Sequence, residues 1–409
     1  MFSSLPQSVK QYALITANYW TFTLTDGALR MLVLLYFHRL GYSPFQLASL
    51  FIFYEFFGVV TNLVGGWLGA RLGLNKTMNS GLGLQVLALF MLLVSPQLLT
   101  VMWVMVAQAI SGIAKDLNKM SAKSAIKMLV PKEQPSKLFK WVAILTGSKN
   151  TLKGVGFFLG GFLLSQFGFT QSVLIMATML SLVWLISLMT LEKDLGKVSN
   201  KPKFSQIFSK RPAINYLSLA RLFLFAARDI WFVIALPVYL SEKYLWSYSS
   251  IGAFMALWIM GYGFVQSLTP SFLKTKDKTF KSNNKSYSHQ AGKWALLLSL
   301  IPISISLSLE IESFAGFNSE YLLIIGLALF AIVFAINSSL HSFLIVDLAS
   351  EDSVSLDVGF YYMANASGRL IGTIFSGYLY QQYGLDVCLI FSSGFLLLAS
   401  FFVFKIKIK

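Results

Sequence analysis

Charged side chains inside apolar runs are the chemically informative residues of this 409-residue chain. Arg30, Lys115, Lys119, Lys149, Lys153, Arg221, Arg228 and Arg369 each fall within a stretch apolar enough to cross a bilayer. A cation at the centre of a membrane helix costs about 2.5–3.5 kcal/mol on insertion scales, so such residues face water, a carboxylate or an anion instead of lipid. Carboxylates in comparable places are fewer: Asp26, Glu55, Asp116, Asp229 and, nearer a span end, Asp347. A space lined by that surplus attracts a small anion carrying several negative charges. Arginine suits the task because its planar guanidinium makes paired hydrogen bonds to phosphate-like oxyanions.

Spacing places several of these cations together. Lys115, Lys119, Lys123 and Lys127 recur every four residues, which keeps them on one helical stripe. Lys149 and Lys153 repeat the interval. Lys123 and Lys127, close to a span end, read better as side chains reaching for lipid headgroups. The substrate-binding set is therefore Arg30, Lys115, Lys119, Lys149, Lys153, Arg228 and Arg369. Asp26, Glu55, Asp116 and Asp229 have two readings, charge pairing with these cations or proton coupling. Contacts such as Asp26–Arg30 or Arg228–Asp229 would lock helices together. His341 reads as a packing residue that can also titrate. The aromatic run FIFYEFFG at 51–58 reads chiefly as lipid contact.

Other chemistries lack their residues. Gly147-Ser148-Lys149-Asn150 is no phosphate-binding loop, and no zinc motif or nucleophile elbow occurs. Cys388 stands alone, and His38, His289 and His341 are scattered, so neither a metal nor a cofactor is expected. A membrane enzyme would need a nucleophile or a His/acid constellation at the interface, and a receptor would need an output domain. Neither is found.

These residues must be held by membrane helices. Hydrophobic residues make up 56% of the chain, charged residues 12%, and mean hydropathy is +0.66. Soluble domains carry roughly 25% charged residues. The expected fold is all-α, with about twelve spans near 12–37, 45–68, 77–95, 98–129, 137–164, 170–190, 214–240, 247–272, 291–309, 320–348, 355–382 and 384–404. The N-terminus runs into the first span with no cleavable signal peptide.

Basic residues in the loops give the orientation. With both termini inside, cytoplasmic segments hold Lys10, Arg71, Lys76, Lys132, Lys137, Lys140, the linker cations Lys193 to Arg211, Lys274 to Lys285, and Lys405 to Lys409. Outer loops hold only Arg39 and Lys243. The loop near Glu351 and Asp352 departs from the trend. The net charge of +16 is thus a matter of topology and does not point to nucleic acid.

Two halves are visible. The polar stretch Glu192 to Pro212 separates a six-helix bundle (1–190) from a second (214–409), leaving 191–213 as a cytoplasmic linker. Lys274 to Gln290 reads as a mobile surface loop, and its sequon at Asn284 as a chance match. KGVGFFLGGFLLSQFGF from Lys153 aligns without a gap to RLIGTIFSGYLYQQYGL from Arg369 at an offset of 216. Lys153 meets Arg369, Gly156 meets Gly372, Gly161 meets Gly377 and Gly168 meets Gly384. Asp26 and Asp229 nearly correspond as well. Such repeats imply a pseudo-two-fold transporter with its site between the halves near mid-membrane. Gly154, Gly156, Gly160 and Gly161 favour close helix approach.

Two resemblances carry the reading further. GGWLGARLGLNK resembles the loop between spans two and three of the major facilitator superfamily, matching at Gly66, Leu68, Arg71 and Gly73. Ala70 stands where that loop has aspartate and Leu74 where it has a basic residue, so the charge-pair gate assigned to that aspartate does not carry over from the resemblance. TANYWTFTLTDGALRML, FYEFFGVVTNLVGGWLGARLGLN, GIAKDLNKMSAKSAIK and LTGSKNTLKGVGFFLGG resemble the organoarsenical-efflux branch of that superfamily. The likeness is dense over residues 12–190. Beyond them it rests on span seven and FYYMANASGRLIG. It implies export of 1-arseno-3-phosphoglycerate across the bacterial inner membrane, with a glyceraldehyde-3-phosphate dehydrogenase as functional partner and arsenate resistance as outcome. A monomer is expected. Charge and periodicity alone reach only a small polyanion, which includes other organic phosphates.

Overall fold

The structure, a computed structural model, describes the backbone of residues 6–72, 74–129, 135–192, 211–272, 280–315, 319–348 and 354–406. Helices account for nearly all of it: α1 (Gln7–Arg39), α2 (Pro44–Leu72), α3 (Leu74–Met91), α4 (Val101–Leu129), α5 (Pro135–Thr190), α6 (Pro212–Phe232), α7 (Ala235–Glu242), α8 (Tyr248–Phe272), α9 (Phe280–Ala315), α10 (Ser319–Leu348) and α11 (Val354–Phe404). Some expectations fall outside the described residues: the linker lysines from Lys193 to Lys210, the loop at Glu351 and Asp352, Lys274 to Lys278, and the side chains of 65–73, Lys123, Lys127, Lys132, Lys137, Lys140 and Asp347.

Twelve membrane spans follow from these helices. The apolar parts of α5 and α11 are 43 and 46 residues long. Straight, each would reach about 65 Å, roughly twice the hydrocarbon thickness of a bilayer. Each instead breaks at a glycine, Gly168 (φ 72°, ψ −175°) and Gly384 (φ 82°, ψ −174°). That backbone region is essentially reserved for glycine, and the two are the residues paired by the repeat. α6 and α7 form one span interrupted at Val233–Ile234. Pro237 lacks the N–H that would bond the Val233 carbonyl. The freed Ile234 and Ala235 N–H groups donate to Ser376 Oγ of α11 at 3.3 and 3.1 Å. One expectation is corrected: residues 280–290 are not a surface loop but the first turns of α9, continuous with the span after them.

The bundle is apolar outside and polar inside. Leu182, Met189, Leu257 and Phe264 are exposed, whereas Arg30, Glu55, Asp116 and Asp229 are buried. α1 and α4 carry many of these polar groups. Glycines let the backbones that bear them touch. A Cβ on Gly156 of α5 would lie 2.6 Å from the Leu24 carbonyl oxygen of α1, and one on Gly372 of α11 would lie 2.9 Å from the Ala226 carbonyl oxygen of α6. The next repeated pair joins the halves: Gly161 abuts Tyr248 of α8, and Gly377 abuts Pro44 and Ala48 of α2.

A side chain at Gly384 meets nothing within 4 Å, so its cost is one of backbone alone. We predict that Gly384→Ala lowers stability by about 1–3 kcal/mol, seen as a reduced unfolding temperature in detergent. An unchanged temperature would contradict the hairpin assigned to Gly384.

Candidate functional site

The crossings of α1 with α5 and of α6 with α11 place Lys153 and Arg369 one helical turn before Gly156 and Gly372, facing the middle of the bundle. Both line two adjoining cavities. The first, part of it open, is also walled by Arg30, Arg228, Asp229 and an aromatic side of Phe157, Phe232, Trp258 and Tyr262. The second, also partly open, is walled in addition by Asp26, Lys115, Asp116, Lys119 and Lys149. All seven cations of the expected substrate-binding set therefore line one or both of these neighbouring cavities. Asp26, Asp116 and Asp229 join them there, and Glu55 stands directly behind.

Ion pairs order the region. Glu55 of α2, almost wholly buried, accepts through Oε1 from Arg30 Nη1 at 2.8 Å and from Arg369 Nη2 at 2.5 Å. One carboxylate thus ties α1 and α2 to α11 across the two halves. Asp229 pairs with Arg228 at 2.5 Å through Oδ1 and with Arg369 Nε at 3.5 Å through Oδ2. Asp116 pairs with Lys119 at 2.8 Å and with Lys115 at 3.7 Å. Lys119 also donates to Asn62 Oδ1 at 2.8 Å.

Among the described residues, seven cations and four carboxylates gather here, and Lys153 makes no ion pair. Its recorded neighbour is the Phe157 ring, with 5.4 Å between Nζ and the ring centroid. Arg30 Nη2 is buried without a hydrogen-bond partner among the described residues, and Arg369 Nε has only the long contact to Asp229. Arginine and lysine donors in such a place suit an oxyanion, whose oxygens only accept.

Some expectations need correction. Asp26 and Arg30 do not pair: Arg30 turns to Glu55, and Asp26 Oδ1 accepts from Tyr54 Oη at 2.7 Å. The run at 51–58 is not chiefly lipid contact. Phe51 and Tyr54 are buried while Phe56 faces outward, and the Tyr54 ring lies 3.9 Å from Lys115 Nζ. Arg221 and His341 line neither cavity; His341 is wholly buried, and neither ring nitrogen has a hydrogen-bond partner among the described residues. Sequence reasoning missed Tyr54, Asn62, Tyr362 and Asn365. Neutral polar residues in a span carry no insertion penalty large enough to announce them.

Comparisons with known proteins agree with this architecture. The profile of the Major Facilitator Superfamily matches residues 15–283. A POT family transporter in complex with a thioalcohol-conjugated peptide is similar at TM-score 0.76 and 13% identity, over 98% of this chain and 98% of that one. Nucleoside transporter NupG, as a point mutant, is similar at 0.70 and 14%, over 98% of this chain and 100% of that one. A bacterial homologue of the iron transporter ferroportin, in its inward-facing state, is similar at 0.68 and 15%, over 97% and 98%. Identities this low speak to fold alone. No curated protein matches the sequence significantly.

Two neutralising substitutions should behave oppositely. Glu55→Gln strands Arg30 and Arg369 in a buried site, and we predict a loss of about 3–5 kcal/mol. Lys153→Gln removes a cation that has no carboxylate partner, and stability should hold or rise. Thermal unfolding of both purified variants checks the pair. Equal destabilisation would contradict the charge balance described here.

Proposed function

We propose that this chain, which belongs to the Major Facilitator Superfamily, exports a small organic polyanion by alternating access, and that its cargo is 1-arseno-3-phosphoglycerate. Membership makes it a multi-pass secondary transporter. The observation that supports the finer reading is the pair of neighbouring cavities where, among the described residues, seven cations gather with four carboxylates, Lys153 and Arg369 lining both. A cargo with a phosphate at one end and an arsenate at the other places one oxyanion in each cavity. The arsenical itself is supported by the likeness of residues 12–190 to the organoarsenical-efflux branch.

In this mechanism Arg30, Lys115, Lys119, Lys149 and Lys153 bind from the first half, and Arg228 and Arg369 from the second. Asp26, Asp116 and Asp229 hold these cations in place and are the groups available for protons. Glu55 closes the halves by bridging Arg30 and Arg369. An incoming oxyanion competes for the same guanidinium donors and so loosens that bridge. The halves at 1–190 and 214–409 then rock about the site, joined by the linker at 191–213. The protein sits in the bacterial inner membrane as a monomer with both termini cytoplasmic. A negative-inside potential favours expulsion of the cargo by about 2.3 kcal/mol per charge per 100 mV. Glyceraldehyde-3-phosphate dehydrogenase supplies the cargo from arsenate, and export gives arsenate resistance.

The test is uptake into everted vesicles supplied with arsenate, glyceraldehyde 3-phosphate, NAD and purified dehydrogenase. Arsenic should accumulate only when both dehydrogenase and transporter are present. Lys119→Glu and Lys153→Glu should abolish accumulation with folded protein retained. No accumulation by inserted, folded wild type would overturn the arsenical cargo. Uptake of 3-phosphoglycerate in its place would identify a phosphate cargo. Full activity in both variants would overturn the site.

A further inference from the structure

Outside the ring of ion pairs, Arg221 of α6 is 5% exposed and has no ion pair among the described residues. Its guanidinium lies 4.1 Å from the Phe225 ring centroid and 5.3 Å from that of Tyr361. A buried cation without a carboxylate weakens a fold unless hydrogen bonds compensate. The bonds it makes are specific. Nε donates to Asn365 Oδ1 at 2.9 Å, and Nη1 donates to Ser338 Oγ at 3.0 Å and to the Ser338 carbonyl at 3.3 Å.

Arginine only donates, so the bond to Asn365 dictates which way that amide faces. The oxygen turns to Arg221 and the NH₂ turns away from it. Asn365 lines the lysine-rich cavity, four residues before Arg369 and therefore on the same face of α11. Its Nδ2 makes no hydrogen bond among the described residues. Asn62, across the same cavity, differs: its Oδ1 accepts from Lys119 and its Nδ2 already donates one N–H to the Gly58 carbonyl of its own helix. Asn365 is thus a neutral donor held open beside Lys119 and Arg369.

We propose that Asn365 binds cargo, donating its amide N–H to an oxyanion oxygen in the lysine-rich cavity, and that Arg221 is the positioning residue that orients this amide. The proposal rests on the polyanion reading of the two cavities. It makes Arg221 act through Asn365 alone, although Arg221 touches neither cavity.

A double-mutant cycle tests it, with 3-phosphoglycerate as probe and calorimetric binding to purified protein in nanodiscs. Asn365→Leu, of similar volume and without donors, should weaken binding about 10- to 100-fold, and Asn365→Asp at least as much. Arg221→Gln should weaken it in the wild-type background and add nothing in the Asn365→Leu background. Arg221→Lys, which keeps the charge but not the fork, should also weaken it, and thermal unfolding of each variant reports folding. Wild-type affinity in folded Asn365→Leu overturns the binding role. Additive losses overturn the positioning role and leave Arg221 a structural pin. If Lys153→Gln weakens binding while the Asn365 variants do not, the Asn365 proposal fails and the cavity reading stands. If wild type binds neither 3-phosphoglycerate nor inorganic phosphate, both fail.

Discussion

Every charge in the middle of this bundle must be answered by an opposite charge, by water or by an anion, because the surface beyond the bundle is apolar and faces lipid. Among the described residues, three carboxylates meet most of that demand. Glu55 serves two arginines from different halves, Asp229 serves two arginines of the second half, and Asp116 serves two lysines of α4. The sharing is itself informative. Carboxylates that each hold two cations leave positive charge over, and Lys153, which makes no ion pair among the described residues, lines both cavities.

The repeat explains how that charge is placed. Gly156 and Gly372 bring α5 onto α1 and α11 onto α6 at backbone contact, so residues one turn earlier project to the same depth from opposite sides. Lys153 and Arg369 hold those equivalent positions, yet their surroundings differ. Arg369 reaches both Glu55 and Asp229. Lys153 makes no ion pair among the described residues, and Asp26, the near counterpart of Asp229, accepts from Tyr54. Symmetry sets the frame, and the pairing of the charges departs from it. The interrupted span at Val233–Ile234, fastened to Ser376, lies just beyond Arg228 and Asp229 and lets this wall depart from a regular helix.

Much of this was legible in the sequence because membrane insertion penalises charge so heavily. A lysine or arginine within an apolar run has few places to go, and seven of the eight cations so identified line the two cavities, Arg221 being the exception. The repeat was legible through glycine, since Gly168 and Gly384 share a backbone conformation that other residues avoid. Pairing was not legible. Asp26 and Arg30 are four residues apart, a spacing that suggests contact, but α2 offers both of them better partners in Tyr54 and Glu55. Neutral side chains were hidden for another reason: Tyr54, Asn62 and Asn365 cost little to insert and reveal their roles only through neighbours distant in sequence. The helical start of α9 was hidden by its polar composition, which reads as a loop when the helix it extends is not in view.

The central claim is that uncompensated cations in the shared wall hold a polyanion. Equilibrium binding to purified protein of glycerol, glycerate, glycerol 3-phosphate and 3-phosphoglycerate tests it most directly, in wild type and in Lys153→Gln. Affinity should climb with ligand charge in wild type, and the climb should flatten in the variant. Equal binding of glycerol and 3-phosphoglycerate, or an undiminished climb in Lys153→Gln, would contradict it.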